Sequence, residues 1–221
     1  MKKLIKKYKL DTKNNLKYYI YTPKNQTQNL PVLLFLHGIG ERGNNLSDIE
    51  KYALPKYLKQ GLELPYIIIA PQCSKNNFWD YHLRDIEKIL EIEHKKLNFD
   101  KNNIFVLGSS MGAYGAWNYI IQRPNIFKGI ISVAGGIMLQ IKENLEKIKD
   151  KSILIYHGDN DDIIDVNQSI EAYNKLKSIG ATNIKLKIIK GDNHYLTSHV
   201  FKDRYLYEWL LKNTKGGTKW T

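Results

Sequence analysis

Ile104-Phe105-Val106-Leu107-Gly108-Ser109-Ser110-Met111-Gly112 is the stretch around which the rest of the chain is arranged. Four apolar residues rich in β-formers run straight into a Gly-Ser-Ser-Met-Gly pentad. Behind it, Met111, Tyr114, Trp117, Ile120 and Ile121 recur at helical spacing as far as Arg123. Strand, sharp turn, helix is the setting that makes G-x-S-x-G a nucleophile elbow. Such a turn holds its serine in a strained backbone conformation, so the residues around it must be small for strand and helix to approach. Gly108 and Gly112 supply that room, and Gly115 is expected to keep the next turn thin where it packs on the sheet. Ser109 has no glycine two residues before it, so the register selects Ser110 as the candidate nucleophile. The plainer reading of the bare pentad is a glycine-softened helix start with Ser109 as N-cap. The flanking pattern favours the elbow.

Working outward, Val32–Leu36, Tyr66–Ala70, Gly129–Val133 and Ser152–Tyr156 are short apolar runs of the kind that form strands buried on both faces. Ile184–Ile189 makes a last strand. Between them, helical patterns are expected over Ile49–Gln60, capped by Ser47 or Asp48 and stopped by Gly61, and over Leu83–Leu97. Leu139–Lys149 reads as a short charged helix, Asn167–Ile179 as a helix closed by Gly180, and Tyr205–Leu210 as the apolar stripe of a final one. Residues 3–10 and 16–21 flank a polar turn and read as an antiparallel hairpin. This alternation predicts an α/β class fold: a mostly parallel twisted sheet, helices on both faces, and an N-terminal antiparallel hairpin. With no repeat and no compositional break, residues 1–221 read as one domain. Within it, 1–22 form the hairpin and 214–221 a frayed tail.

Composition narrows the partners. The net charge is +12, from 34 Lys+Arg against 22 Asp+Glu. Lysines are spread through every segment among acids, as in Glu143–Lys151, and no basic run is interleaved with stacking aromatics. A solvated lysine-rich surface accounts for this better than a nucleic-acid partner. No apolar run is long enough to span a bilayer, and the lysines after Met1 lead into no signal-like apolar segment. Cys73 is the sole cysteine, which excludes an intrachain disulfide and suits a reducing compartment. The expectation is a cytoplasmic protein with no membrane insertion.

A serine hydroxyl needs a base within hydrogen-bond reach and an acid to orient that base. In an open α/β sheet these come from loops at the carboxyl ends of strands. His194 lies in the loop after the last strand, and Asp161 in the loop after the one before it. The chain order is Ser110, Asp161, His194. His199 competes for the base but falls on the run into the last helix. Asp159, Asp162 and Asp165 compete for the acid, with Asp162 next after Asp161. His37 and His157 each precede a glycine at a strand end and read as backbone braces, while His82 and His94 read as surface residues. An oxyanion would be met by the amide of Met111 and by that of Ile39 in the glycine-punctuated loop after Val32–Leu36, with Gly40 as the alternative.

The segments Leu36–Gly43, Gly108–Trp117, His157–Asp161 and Gly191–His194 resemble α/β-hydrolases. Within them they are similar to the phospholipase/carboxylesterase branch and its feruloyl- and acetyl-xylan-esterase relatives. Pro71-Gln72 followed by a Trp, Pro124–Phe127 and Leu206–Leu210 extend the likeness over about residues 30–211. The resemblance implies a serine carboxyl-ester hydrolase without metal or organic cofactor, and the same Ser110, Asp161 and His194. It departs from the family at Asp165, where proline is frequent, and at Thr197, where tryptophan is frequent. Glu41 and Arg42 are expected to fix the oxyanion loop, Arg42 alternatively to bind substrate. Trp79 is a candidate wall for the acyl or alcohol group, or a core residue. Only a short stretch separates the strands at 129–133 and 152–156, so no large cap is expected. The reading is a carboxylesterase for small or aromatic esters. Acyl thioesterase or lysophospholipase stands as the alternative, and a serine peptidase or an inactive binding scaffold follows.

Overall fold

The computed structural model describes residues 1–9, 15–24 and 29–214, excepting the side chains of residues 5–9, 15 and 139–142. The expected hairpin turn at 11–14, part of the 23–31 loop and the tail at 215–221 lie outside the described residues. Eight strands form one sheet: β1 (Lys2–Lys9), β2 (Asn15–Thr22), β3 (Val32–Leu36), β4 (Ile67–Pro71), β5 (Ile104–Ser109), β6 (Gly129–Val133), β7 (Ser152–Gly158) and β8 (Ile184–Ile189). Their spatial order is β1-β2-β4-β3-β5-β6-β7-β8. The hairpin β1–β2 is antiparallel and joins β4 antiparallel; every pairing from β4 through β8 is parallel.

Period-two alternation explains how one sheet carries two cores. On β3, Val32, Leu34 and Leu36 face one apolar cluster while Leu33 and Phe35 face the other. On β5, Ile104 and Val106 divide from Phe105 and Leu107 in the same way. The first cluster is covered by α2 (Leu83–Leu97), α3 (Met111–Gln122) and α4 (Asn167–Ser178). The second is covered by α1 (Ala53–Lys59), α5 (Thr197–Val200) and α6 (Arg204–Asn213). The edge strand β8 carries Lys185 and Lys187 among its apolar residues, the charge pattern that discourages further strand pairing.

Two expected elements differ. The helix placed over Ile49–Gln60 is split into a 3-10 turn, Leu46–Glu50, and α1. Asn45, rather than Ser47 or Asp48, caps the turn by accepting the Ser47 amide. Pro55 has no N–H to donate, so a helix can hold it only in its first turn, and α1 begins at Ala53. Leu139–Ile148 is 3-10 rather than α-helical, with Leu145 and Ile148 buried against the first cluster. At the C-terminus Thr214 is tied down, not frayed. Its hydroxyl lies 2.6 Å from the Tyr66 hydroxyl and donates to the Leu210 carbonyl at 2.9 Å.

Candidate active site

The elbow forms where β5 passes into α3. Ser110 has φ 55° and ψ −120°, a region that a side-chain-bearing residue enters only when its surroundings enforce it. The enforcement is close backbone contact. A Cβ on Gly108 would lie 2.0 Å from the Gly112 carbonyl oxygen, and one on Gly112 would lie 2.0 Å from that of Leu36. Gly115 serves a different neighbour from the expected one. Its missing side chain makes room for Trp79, whose Cβ would stand 2.5 Å away, rather than for the sheet.

Two loops at the carboxyl ends of β7 and β8 reach the serine. His194 Nε2 lies 2.8 Å from Ser110 Oγ, and His194 Nδ1 lies 2.8 and 3.1 Å from the two carboxylate oxygens of Asp161. The Asp161 side chain is fully buried. Burial pushes its carboxyl up, but the Ile164 amide, the His194 ring and the Ile163 amide together outweigh this and hold it below its ordinary value. The competing groups are spent elsewhere. Asp165 accepts the Asn167 amide, Asp159 accepts that of Gly191, Asp162 is exposed, and His199 pairs with Asp192 on the surface.

The backbone supplies donors on the other side. Met111 is the first residue of α3, and Ile39 opens a 3-10 turn, Ile39–Glu41, after β3. First-turn amides have no partner inside their own helix and are free to point at an anion. Arg42 ties this turn to its neighbour. It donates from Nε to the Ile39 carbonyl (3.3 Å) and from Nη1 to that of Asn77 (3.1 Å), with its guanidinium over the Phe78 ring. Arg42 lines neither cavity beside Ser110, and these two bonds link the loop after β3 to the segment around Asn77. Gln72 Nε2 adds bonds to the carbonyls of Glu41 and Asn45 at 2.9 and 2.8 Å. His37, a backbone brace as expected, accepts the Cys73 amide on Nε2 at 2.9 Å.

Four residues have surroundings that residue type alone does not reveal. Trp79 is a core residue, 1% exposed, with Nε1 donating to the His37 carbonyl at 3.0 Å; it also lines the cavity beside Ser110. His82 is buried, not on the surface, and pairs with Asp85 at 2.9 Å. Glu41 is buried without a cation among the described residues, and desolvation raises its carboxyl to about 7 against the Glu41 and Gly38 amides that favour the charge. His157 does more than brace a turn. Its Nε2 lies 2.9 Å from the Ile164 carbonyl and 3.1 Å from Asp161 Oδ2, and its Nδ1 lies 2.7 Å from Ser169 Oγ.

Two cavities of about 370 and 330 Å3 meet at Ser110 and share Ile39 and Ile163 as their divider. Among the described residues, no group of three His, Cys, Asp or Glu side chains could hold a metal ion, and no helix is long and apolar enough to cross a membrane.

A parallel sheet flanked by helices, with a Gly-x-Ser-x-Gly elbow ending its central strand, defines an α/β-hydrolase. More narrowly, the chain belongs to the phospholipase/carboxylesterase family, whose model matches residues 70–208. It is 25% identical to a thermostable esterase of known structure, with a TM-score of 0.83, covering 96% of this chain and 63% of that one. It is similar in fold to Est1E from Butyrivibrio proteoclasticus, at 17% identity and TM-score 0.72, covering 95% and 98% of the two chains. A bifunctional acetylxylan esterase/xylanase from Neocallimastix patriciarum is 24% identical over 175 residues, 75% of this chain and 24% of that protein. The chain thus spans about a quarter of that relative and under two thirds of the thermostable esterase.

Proposed function

We propose that the protein hydrolyses carboxylic esters of small or aromatic acids through an acyl-enzyme on Ser110. The observation that carries this reading is the continuous hydrogen-bonded line from Ser110 Oγ through His194 to buried Asp161. His194 Nε2 takes the Ser110 proton as Oγ attacks the ester carbonyl, and Asp161 holds the ring by Nδ1 and stabilises the imidazolium that forms. The amides of Ile39 and Met111 meet the oxyanion; each such donor is worth about 3 kcal/mol in the transition state. His194 then passes its proton to the leaving alkoxide, and the carbonyl–alkoxide bond breaks. Water repeats the sequence to release the acid and restore Ser110.

The family match and the esterase similarity support an ester substrate. A panel of p-nitrophenyl esters from acetyl to decanoyl, with aryl acids and matched thioesters, tests the reading. Turnover of oxygen esters that disappears in Ser110→Ala is expected. Thioesters turned over at far higher kcat/KM would favour the acyl-thioesterase alternative, and no turnover of either would refute hydrolysis.

A further inference from the structure

The two cavities at Ser110 differ in what lines them, and the proton's route decides which part of the substrate each receives. A tetrahedral intermediate on Ser110 has four substituents: Ser110 Oγ, the oxyanion, the leaving oxygen and the acyl carbon. The oxyanion faces the amides of Ile39 and Met111. The leaving oxygen must take its proton from His194 Nε2, the nitrogen 2.8 Å from Ser110 Oγ, and therefore lies within hydrogen-bond reach of it. Only one of the two cavities is lined by His194, together with Glu41, Tyr52, Ser109, Tyr195 and Thr197. The other is lined by Phe78, Trp79, Met111, Tyr114, Met138 and Ile164 and contains no part of His194.

Resting on the esterase reading above, we propose that these cavities divide the ester. The His194 side receives the alcohol, and the Trp79–Met138 side receives the acyl group. Met138 and Phe78 then set the choice of acid, while Tyr52 and Tyr195 flank the alcohol. Ile39 and Ile163 stand between the two as a divider.

The division predicts that the choice of acid and the choice of alcohol are set separately. The acyl side holds about 370 Å3 between apolar walls, more than twice the roughly 150 Å3 that accommodates a benzene ring in a protein interior. An acid of arylpropenoyl size fits, and Trp79 and Tyr114, each hydrogen-bonded at its polar end, fix the shape of the walls. On the alcohol side Tyr52 and Tyr195 are 55% and 71% exposed, and on the acyl side Phe78 is 47% exposed, so both sides open to solvent. What separates them is lining chemistry: the acyl side is walled almost wholly by apolar side chains, whereas Glu41, Ser109, His194 and Thr197 line the alcohol side.

The test reads two ratios of kcat/KM. The acid ratio compares p-nitrophenyl cinnamate with p-nitrophenyl acetate, and the alcohol ratio compares benzyl with methyl cinnamate. Met138→Trp, which narrows the acyl side, should lower the acid ratio at least tenfold with the alcohol ratio held within threefold. Met138→Ala, which widens that side, should move the acid ratio the opposite way and serves if the tryptophan variant does not fold. Tyr195→Ala should shift the alcohol ratio more than the acid ratio. The converse pattern, or equal movement of both ratios in every variant, overturns the division. Should wild-type protein hydrolyse none of these esters and take no fluorophosphonate label, the esterase reading itself has failed and the division falls with it.

Discussion

Glu41→Gln removes a carboxyl that the loop after β3 buries without a cation among the described residues. Desolvation raises this group from 4.5 to about 7 in the folded chain. One pH unit of displacement is worth about 1.4 kcal/mol, so the full displacement amounts to roughly 3 kcal/mol. The sign follows from where the proton is held more tightly. The folded state keeps it up to about pH 7, whereas the unfolded chain releases it near 4.5. Stability from this group is therefore complete below 4.5 and lost as pH rises through about 7. Glutamine keeps the shape, stays neutral, and still offers an oxygen to the Gly38 and Glu41 amides. In urea unfolding, the gain of the variant over wild type should be under about 1 kcal/mol near pH 5. It should approach roughly 3 kcal/mol at pH 8.5, because the displacement to about 7 is already net of the amide bonds that favour the charge. Because both proteins share every other titrating group, the difference isolates Glu41. A gain that stays constant within about 0.5 kcal/mol across that range would refute the argument.

Asp161→Asn should lower kcat on p-nitrophenyl acetate by on the order of 10^4, since the amide no longer holds the His194 tautomer, and His194→Ala should be at least as severe. His157→Ala should lower kcat by on the order of tenfold, about 1.4 kcal/mol of transition-state stabilisation, with His157→Gln partly restoring it. An unchanged kcat in the alanine variant would mean that the 3.1 Å approach to Asp161 does nothing for the reaction. Gly115→Ala places a Cβ 2.5 Å from that of Trp79 and should cost about 1–3 kcal/mol in thermal or urea unfolding. A neutral result there would show that Trp79 moves freely.

Much of this arrangement could be read before any coordinates. The strands at 32–36, 104–109 and 129–133 stand where continuous apolar runs placed them, because burial on both faces leaves little freedom of composition. The elbow was legible because its glycines are demanded by backbone contacts that no other residue permits. The helix divided at Pro55 was read as continuous because apolar spacing runs across the break, and the proline's missing donor decides the boundary. The site's supporting shell was the hardest part. Glu41, His82 and His157 are polar residues whose burial depends on how the chain packs around them, as where His157 meets Ser169. The aromatic Trp79 was legible as either wall or core; it is buried against Gly115 and also lines the cavity beside Ser110.

The central claim is that Ser110 is the nucleophile. A fluorophosphonate probe followed by proteolysis and mass mapping tests it most directly, because the phosphonylated serine is trapped at the step the proposed mechanism requires. The account predicts one adduct per chain, on Ser110, with none formed in Ser110→Ala or in protein unfolded before labelling. An adduct on Ser109 or any other residue, or labelling that persists in Ser110→Ala, would contradict it.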